Sequence, residues 1–128
     1  MPLEVHYELG SNPTYDDWVA VMKNYTELVD EVAISELDVA VLTPVTPQNA
    51  SIYNLQAESF YNATAACLTF DKCVGVTIWG WSDKYAWVLT VFPDMGDASP
   101  WDKDFKEKQA YNGIMRTFKT FWPNKTMR

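Results

Sequence analysis

The sequence predicts an α/β fold in which a strand and a helix alternate three times and the strands lie parallel. Three observations carry this reading. Apolar residues alternate or run together over strand-length segments, and each such segment is followed by apolar residues at helical spacing. Turn-forming and proline residues punctuate the changes. The third strand-like run, CVGVTIW, is apolar nearly throughout, as a parallel strand covered on both faces is. Such a βαβαβα order implies a parallel sheet with right-handed crossovers. At 128 residues the chain has the size of one domain.

Leu3 to Leu9 alternates, with Val5, Tyr7 and Leu9 on one side and Glu4, His6 and Glu8 on the other. Asn12-Pro13-Thr14 ends that strand, and Thr14 or Asp16 can cap the helix after it. Trp18, Val21, Met22, Tyr25, Leu28 and Val29 make that helix amphipathic over residues 16–29. The second strand runs from Glu31 to Val39, and Pro44 and Pro47 mark a loop after it. Tyr53, Ala57, Phe60, Tyr61, Thr64, Cys67 and Leu68 trace the second helical face. The third strand is Cys73 to Trp79, followed by a long polar and aromatic loop from Gly80 to about Lys106. Ala110, Tyr111, Ile114, Met115, Phe118 and Phe121 form the third helical face. The first strand starts within two or three residues of Met1, and three strands leave two open edges, so the sequence reads as a slice of something larger.

A formal net charge of −7 argues against nucleic acid, which demands a basic footprint. The apolar runs are too short to span a membrane, and no basic-then-apolar leader opens the chain. Six Trp, seven Tyr and six Phe supply either a large aromatic core or flat rings offered to a ligand. Four glycosylation sequons begin at Asn24, Asn49, Asn62 and Asn124, where about one is expected by chance, and this excess favours a secreted parent. Cys67 and Cys73 are too few for a zinc site. They could close a short disulfide loop worth about 2 kcal/mol or remain two buried thiols, and the sequons favour the bridge.

The chemistry-bearing residues gather near the carboxyl ends of strands, where parallel α/β proteins place functional groups. Glu36 and Asp38 are two apart and leave the strand on one face, and His6 lies on the strand before. These residue types permit a carboxylate nucleophile, an imidazole donating to it and a second carboxylate holding the imidazole. A solvated acidic strand end with a histidine nearby by chance fits the spacing as well. Trp79 and Trp87 bracket WGWSDKYAW and can either wall a sugar cleft or anchor a loop.

LEVHYELGS, VAISELDV, CVGVTIWGWSDKYAW and KDFKEKQAYNGI occur in this order along the chain. Together they resemble the sixth-, seventh- and eighth-strand segments and the closing segment of glycoside hydrolase family ten, the endo-1,4-β-xylanases, fungal members above all. The matched signatures are LQxHxxxG, a hydrophobic residue before TELD, CxGxTxWGxxDxxSW and NYxPKPAYxAI. The resemblance implies an eight-fold β/α (TIM) barrel that cleaves internal β-1,4 xylosidic bonds with retention, and it covers almost the whole chain. Residues 1–128 then correspond to the C-terminal part of the catalytic domain, the last three β/α units. It implies Glu36 as nucleophile, His6 as its hydrogen-bond partner and Asp38 as the acid orienting that histidine. Trp79 and Trp87 correspond to tryptophans around the sugar beside the cut, and Cys67 and Cys73 to the family's disulfide. Xylan or xylo-oligosaccharide is the implied partner, with no cofactor or metal.

Three positions depart from the pattern. Glu4 stands where the family usually has Gln, beside the sugar, and its charge would repel that of Glu36. Ser35 replaces Thr, and Trp81 replaces a smaller or flatter residue. The acid/base segment WDVxNE has no counterpart in the sequence, and Glu4, Glu8 and Asp83 match no acid/base position. Retaining hydrolysis needs both carboxyls, so the chain is expected to be inactive alone and to self-associate through its open edges. The alternative from a different class is a non-catalytic xylan-binding protein using the tryptophan wall, and a blander one is the product of an incomplete gene.

Overall fold

The computed structural model describes residues 1–10, 13–47 and 49–121. The elements are β1 (Pro2–Glu8), α1 (Tyr15–Leu28), β2 (Val32–Leu42), α2 (Ile52–Thr69), β3 (Cys73–Ile78), a 3₁₀ turn (Asp83–Tyr85), α3 (Val88–Val91), β4 (Met95–Gly96) and α4 (Gln109–Phe121). β1, β2 and β3 form a parallel sheet in that order, so β2 is central. α1 begins and ends one residue before the expected 16–29: the Thr14 hydroxyl accepts from the Asp17 N–H, and Asp17 accepts back from the Thr14 N–H. Thr14 and Asp17 thus make a capping box, and Asp16 is not the cap.

The core lies between the sheet and the helices. Trp18 and Met22 of α1, Val5 of β1, Phe60 and Ala63 of α2 and Ala110 of α4 join Val32, Ile34, Leu37 and Val39 of β2 in one buried cluster. Those four β2 positions change phase, from even to odd, between Ile34 and Leu37. The register shows why: Leu3 sits opposite Ile34 but Glu4 sits opposite Glu36, leaving Ser35 as an extra residue. A one-residue bulge turns every following side chain to the other face. Leu37 and Val39 therefore point into the core, while Glu36, Asp38 and Ala40 turn to the face opposite α1, α2 and α4, where Trp87 and Val88 of α3 meet Asp38 and Ala40.

Four expectations are corrected. β2 continues past Val39 to Leu42, because Val41 and Leu42 pair antiparallel with Gly96 and Met95; the two acids lie within the strand and not at its last residues. β3 is apolar but not covered on both faces: Val74, Gly75 and Thr77 are exposed, and among the described residues the strand pairs with β2 alone. The loop from Gly80 is built from a 3₁₀ turn, a short helix and a two-residue strand. On α4 the buried residues are Ala110, Gly113 and Thr117, whereas Phe118 is exposed. The small stripe lets α4 approach α2 so closely that a methyl group added at Gly113 would lie 2.2 Å from the Ala57 carbonyl oxygen.

Cys67 and Cys73 form a disulfide that ties the end of α2 to the start of β3. Among the described residues no helix is long and apolar enough to cross a membrane.

Candidate active site

β1 and β2 bring three side chains into one row. His6 lies opposite Asp38 in the register, two residues beyond the pair of Glu4 and Glu36. The His6 Nδ1–H donates to Asp38 Oδ2 at 2.9 Å, and Nε2 lies 3.1 Å from Glu36 Oε2. A neutral imidazole can donate through only one nitrogen and would turn a lone pair on the other acid. The protonated ring satisfies both carboxylates. Burial works against that charge, but the hydrogen bonds and negative charges of Asp38, and then of Glu36, outweigh it and hold the His6 pKa above its ordinary 6.5.

The two acids sit in different surroundings. The Asp38 side chain is 2 % exposed and that of Glu36 25 %. Burial pushes the Asp38 carboxyl above the usual range despite the bonds it accepts from Trp87 and His6. Asp38 is therefore fixed in place, and Glu36 is the acid that opens to solvent. A hollow of about 270 Å³ adjoins the row, lined by His6, Asp38, Ala40, Trp87 and Phe92 among others.

Of the sequence-predicted residues, His6, Glu36, Asp38 and Trp87 are brought together. The Trp87 ring meets His6 edge-on at 5.2 Å between centroids, and its Nε1–H donates to Asp38 Oδ2 at 2.7 Å. Trp79 is held at the end of β3 by its backbone N–H, which donates to the Leu37 carbonyl, and its ring is exposed. Glu4 is exposed on the row's open side. Asn24 and Asn49 are exposed, Asn62 donates from its side-chain amide to the Pro13 carbonyl, and Asn124 lies outside the described residues. Among the described residues no group of His, Cys, Asp and Glu could hold a metal ion.

Two features escaped the sequence reading. Spacing does not reveal that Trp87 bonds to Asp38, 49 positions apart. Nor does it reveal how the loop carrying Trp87 is held. Lys108, at the foot of α4, inserts its ammonium among Asp83 Oδ2 at 2.8 Å, the Ser99 carbonyl at 2.9 Å and the Asp97 carbonyl at 2.5 Å. The buried Asp83 side chain also accepts from the Ser99 N–H. Gln56 of α2 adds a second tie, donating to the carbonyls of Val39 and Asp97.

The sheet thus carries an ordered carboxylate–imidazole–carboxylate row on the face opposite its core helices, with Trp87 and α3 beside it. Comparison with known proteins gives its family. The model of Glycosyl hydrolase family 10 matches residues 2–117. Endo-1,4-beta-xylanase 2 of Aureobasidium pullulans is 39% identical over 112 residues, 88% of this chain and 30% of that protein. Endo-1,4-beta-xylanase A of Humicola insolens is 37% identical over 126 residues, 98% of this chain and 32% of that protein. Among solved structures, the Penicillium canescens endo-1,4-beta-xylanase XylE superposes with a TM-score of 0.86 at 30% identity, covering 93% of this chain and 36% of its own. The xylanase from Bispora sp. MEY-1 with xylobiose gives 0.84 at 30% identity, over 91% and 36%.

The chain belongs to glycosyl hydrolase family 10. It spans about a third of the length of the relatives it matches, and its fold is the corresponding part of their barrel.

Proposed function

We propose that this chain carries the nucleophile half of a retaining endo-1,4-β-xylanase active site. Residues 1–128 are the last three β/α units of the catalytic domain, and the acid/base carboxyl comes from outside them. The observation that carries this reading is the imidazole of His6 hydrogen-bonded to Glu36 and Asp38 at once, in a chain of the xylanase family.

Glu36 is the nucleophile. Its carboxylate forms a bond to the anomeric carbon of a xylosyl unit while the glycosidic C–O bond breaks, and the departing oxygen takes a proton from the acid/base. Water then bonds to the same carbon while the Glu36–carbon bond breaks, the acid/base accepting the water's proton, and configuration is retained. His6 donates to the ionised Glu36 and keeps it oriented, and Asp38 orients His6. Trp79 and Trp87 wall the xylose beside the cut, and Glu4 lies along the same sugar. Without the proton donor the isolated chain turns xylan over slowly, since general acid/base assistance is worth roughly 10²–10⁴-fold. The sequons and the disulfide favour an extracellular parent.

Mechanism-based trapping with a 2-fluoro-xyloside, on the chain reconstituted with the remaining barrel units and followed by peptide mass mapping, tests this. The label is expected on Glu36 and absent in Glu36→Gln; a label on any other carboxylate overturns the assignment.

A second reading, a xylan-binding protein without chemistry, draws on the exposed Trp79 ring and on the hollow beside Trp87. It predicts xylo-oligosaccharide binding, read by tryptophan fluorescence, that survives Glu36→Gln and is lost in Trp79→Ala and Trp87→Ala.

A further inference from the structure

We infer that Trp87 is a positioning residue that acts through Asp38: its indole N–H fixes the carboxylate that in turn fixes His6 against Glu36. The observation is that one oxygen, Asp38 Oδ2, accepts from both Trp87 Nε1 at 2.7 Å and His6 Nδ1 at 2.9 Å. The same indole packs edge-on against the imidazole. A residue that only walled a sugar would not need its N–H aimed at a buried acid.

The geometry makes the bond consequential. The Asp38 side chain is 2 % exposed, and a carboxylate so buried is costly unless donors compensate it. Its two side-chain donors differ in kind. His6 is partly open to water and loses a proton as pH rises, whereas the indole N–H is present at every pH. Trp87 is thus the constant donor that keeps Asp38 ionised, and an ionised Asp38 supports the imidazolium. The other charged groups near the ring are Glu36, bonded to Nε2, and Glu8, which lines the same hollow. Trp87 sits just before α3, on the loop clamped by Lys108. The loop therefore reaches the nucleophile through three hydrogen-bonded side chains: Trp87, Asp38, then His6. This role extends the proposed function of Glu36, but its test does not require turnover.

His6 is the only histidine in the chain, so its imidazole titration can be read without ambiguity by NMR of the whole protein. Trp87→Phe keeps an aromatic ring and removes the donor. Burial then drives the proton onto Asp38, the imidazolium loses its fixed counter-charge, and the His6 acid dissociation constant rises about tenfold, the worth of one charge-assisted hydrogen bond. In an Asp38→Asn background the same substitution changes it by less than about twofold, because the path through Asp38 is already cut. Trp79→Phe serves as a control and leaves the titration in place, while circular dichroism checks folding in every variant. An unchanged or lowered dissociation constant in Trp87→Phe, or an equal effect in the Asp38→Asn background, overturns the inference. Failure of the fluoro-xyloside label to land on Glu36 would sink the nucleophile assignment and leave this coupling standing.

Discussion

At the scale of the residue, the site depends on how one imidazole is charged. His6 titrates above its ordinary value because Asp38 and Glu36 hold its proton, against burial. A group whose folded pKa is raised contributes stability that is complete below its unfolded value of 6.5 and is lost as pH climbs through the folded value. His6→Gln should therefore destabilise the chain by about 1 kcal/mol near pH 6, the worth of an ion pair partly open to water. The difference should vanish above the folded pKa. Urea unfolding of both proteins across that range checks the sign; a deficit that grows with pH contradicts it. The residues of the row were legible in the sequence because their types and order matched a known pattern. The indole of Trp87 was legible as a ring but not as a donor, since its hydrogen bond depends on how the loop after β3 folds back.

At the scale of the element, two devices aim the chemistry. The bulge at Ser35 turns Glu36 and Asp38 away from α1, α2 and α4. Its trace is present in the sequence, where the apolar positions of VAISELDVAV slip from even to odd, but a reading that assumes unbroken alternation passes over it. The other device is Lys108, which binds the Trp87 loop to α4 through Asp83 and two carbonyls. Lys108→Met leaves Asp83 buried without its cation and should cost about 3–5 kcal/mol. Burial already holds the Asp83 carboxyl above the usual range, and loss of the lysine raises it further. The destabilisation should accordingly be small at pH values where Asp83 is protonated in both states and full once it ionises in the folded protein. Denaturation midpoints of the variant and its parent at low and neutral pH measure this, and Asp83→Asn added to Lys108→Met should recover part of the loss.

At the scale of the whole molecule, the sheet is open on both sides. Among the described residues β1 and β3 each pair with β2 alone, Val74 and Trp79 lie exposed on or beside β3, and the relatives it matches are about three times as long. Unpaired strand edges with apolar side chains attract other strands. The chain alone is expected to associate with rising concentration in sedimentation velocity. A polypeptide corresponding to the rest of the relatives' barrel should suppress that association and form a stoichiometric complex; a monodisperse monomer at all concentrations would contradict the expectation.

Local periodicity and motifs of fixed spacing were enough to establish the alternation of strands and helices, their parallel order, a cap for α1 at Thr14 or Asp16 and the membership of the row Glu36, Asp38 and His6. The face those acids take, the residues of α4 that are buried, and the reach of Trp87 and Lys108 across the chain came into view only with the packed fold. Those are contacts between segments far apart in sequence. Their partners are chosen by how strands register and how closely helices approach, and neither quantity is written in any single stretch of residues.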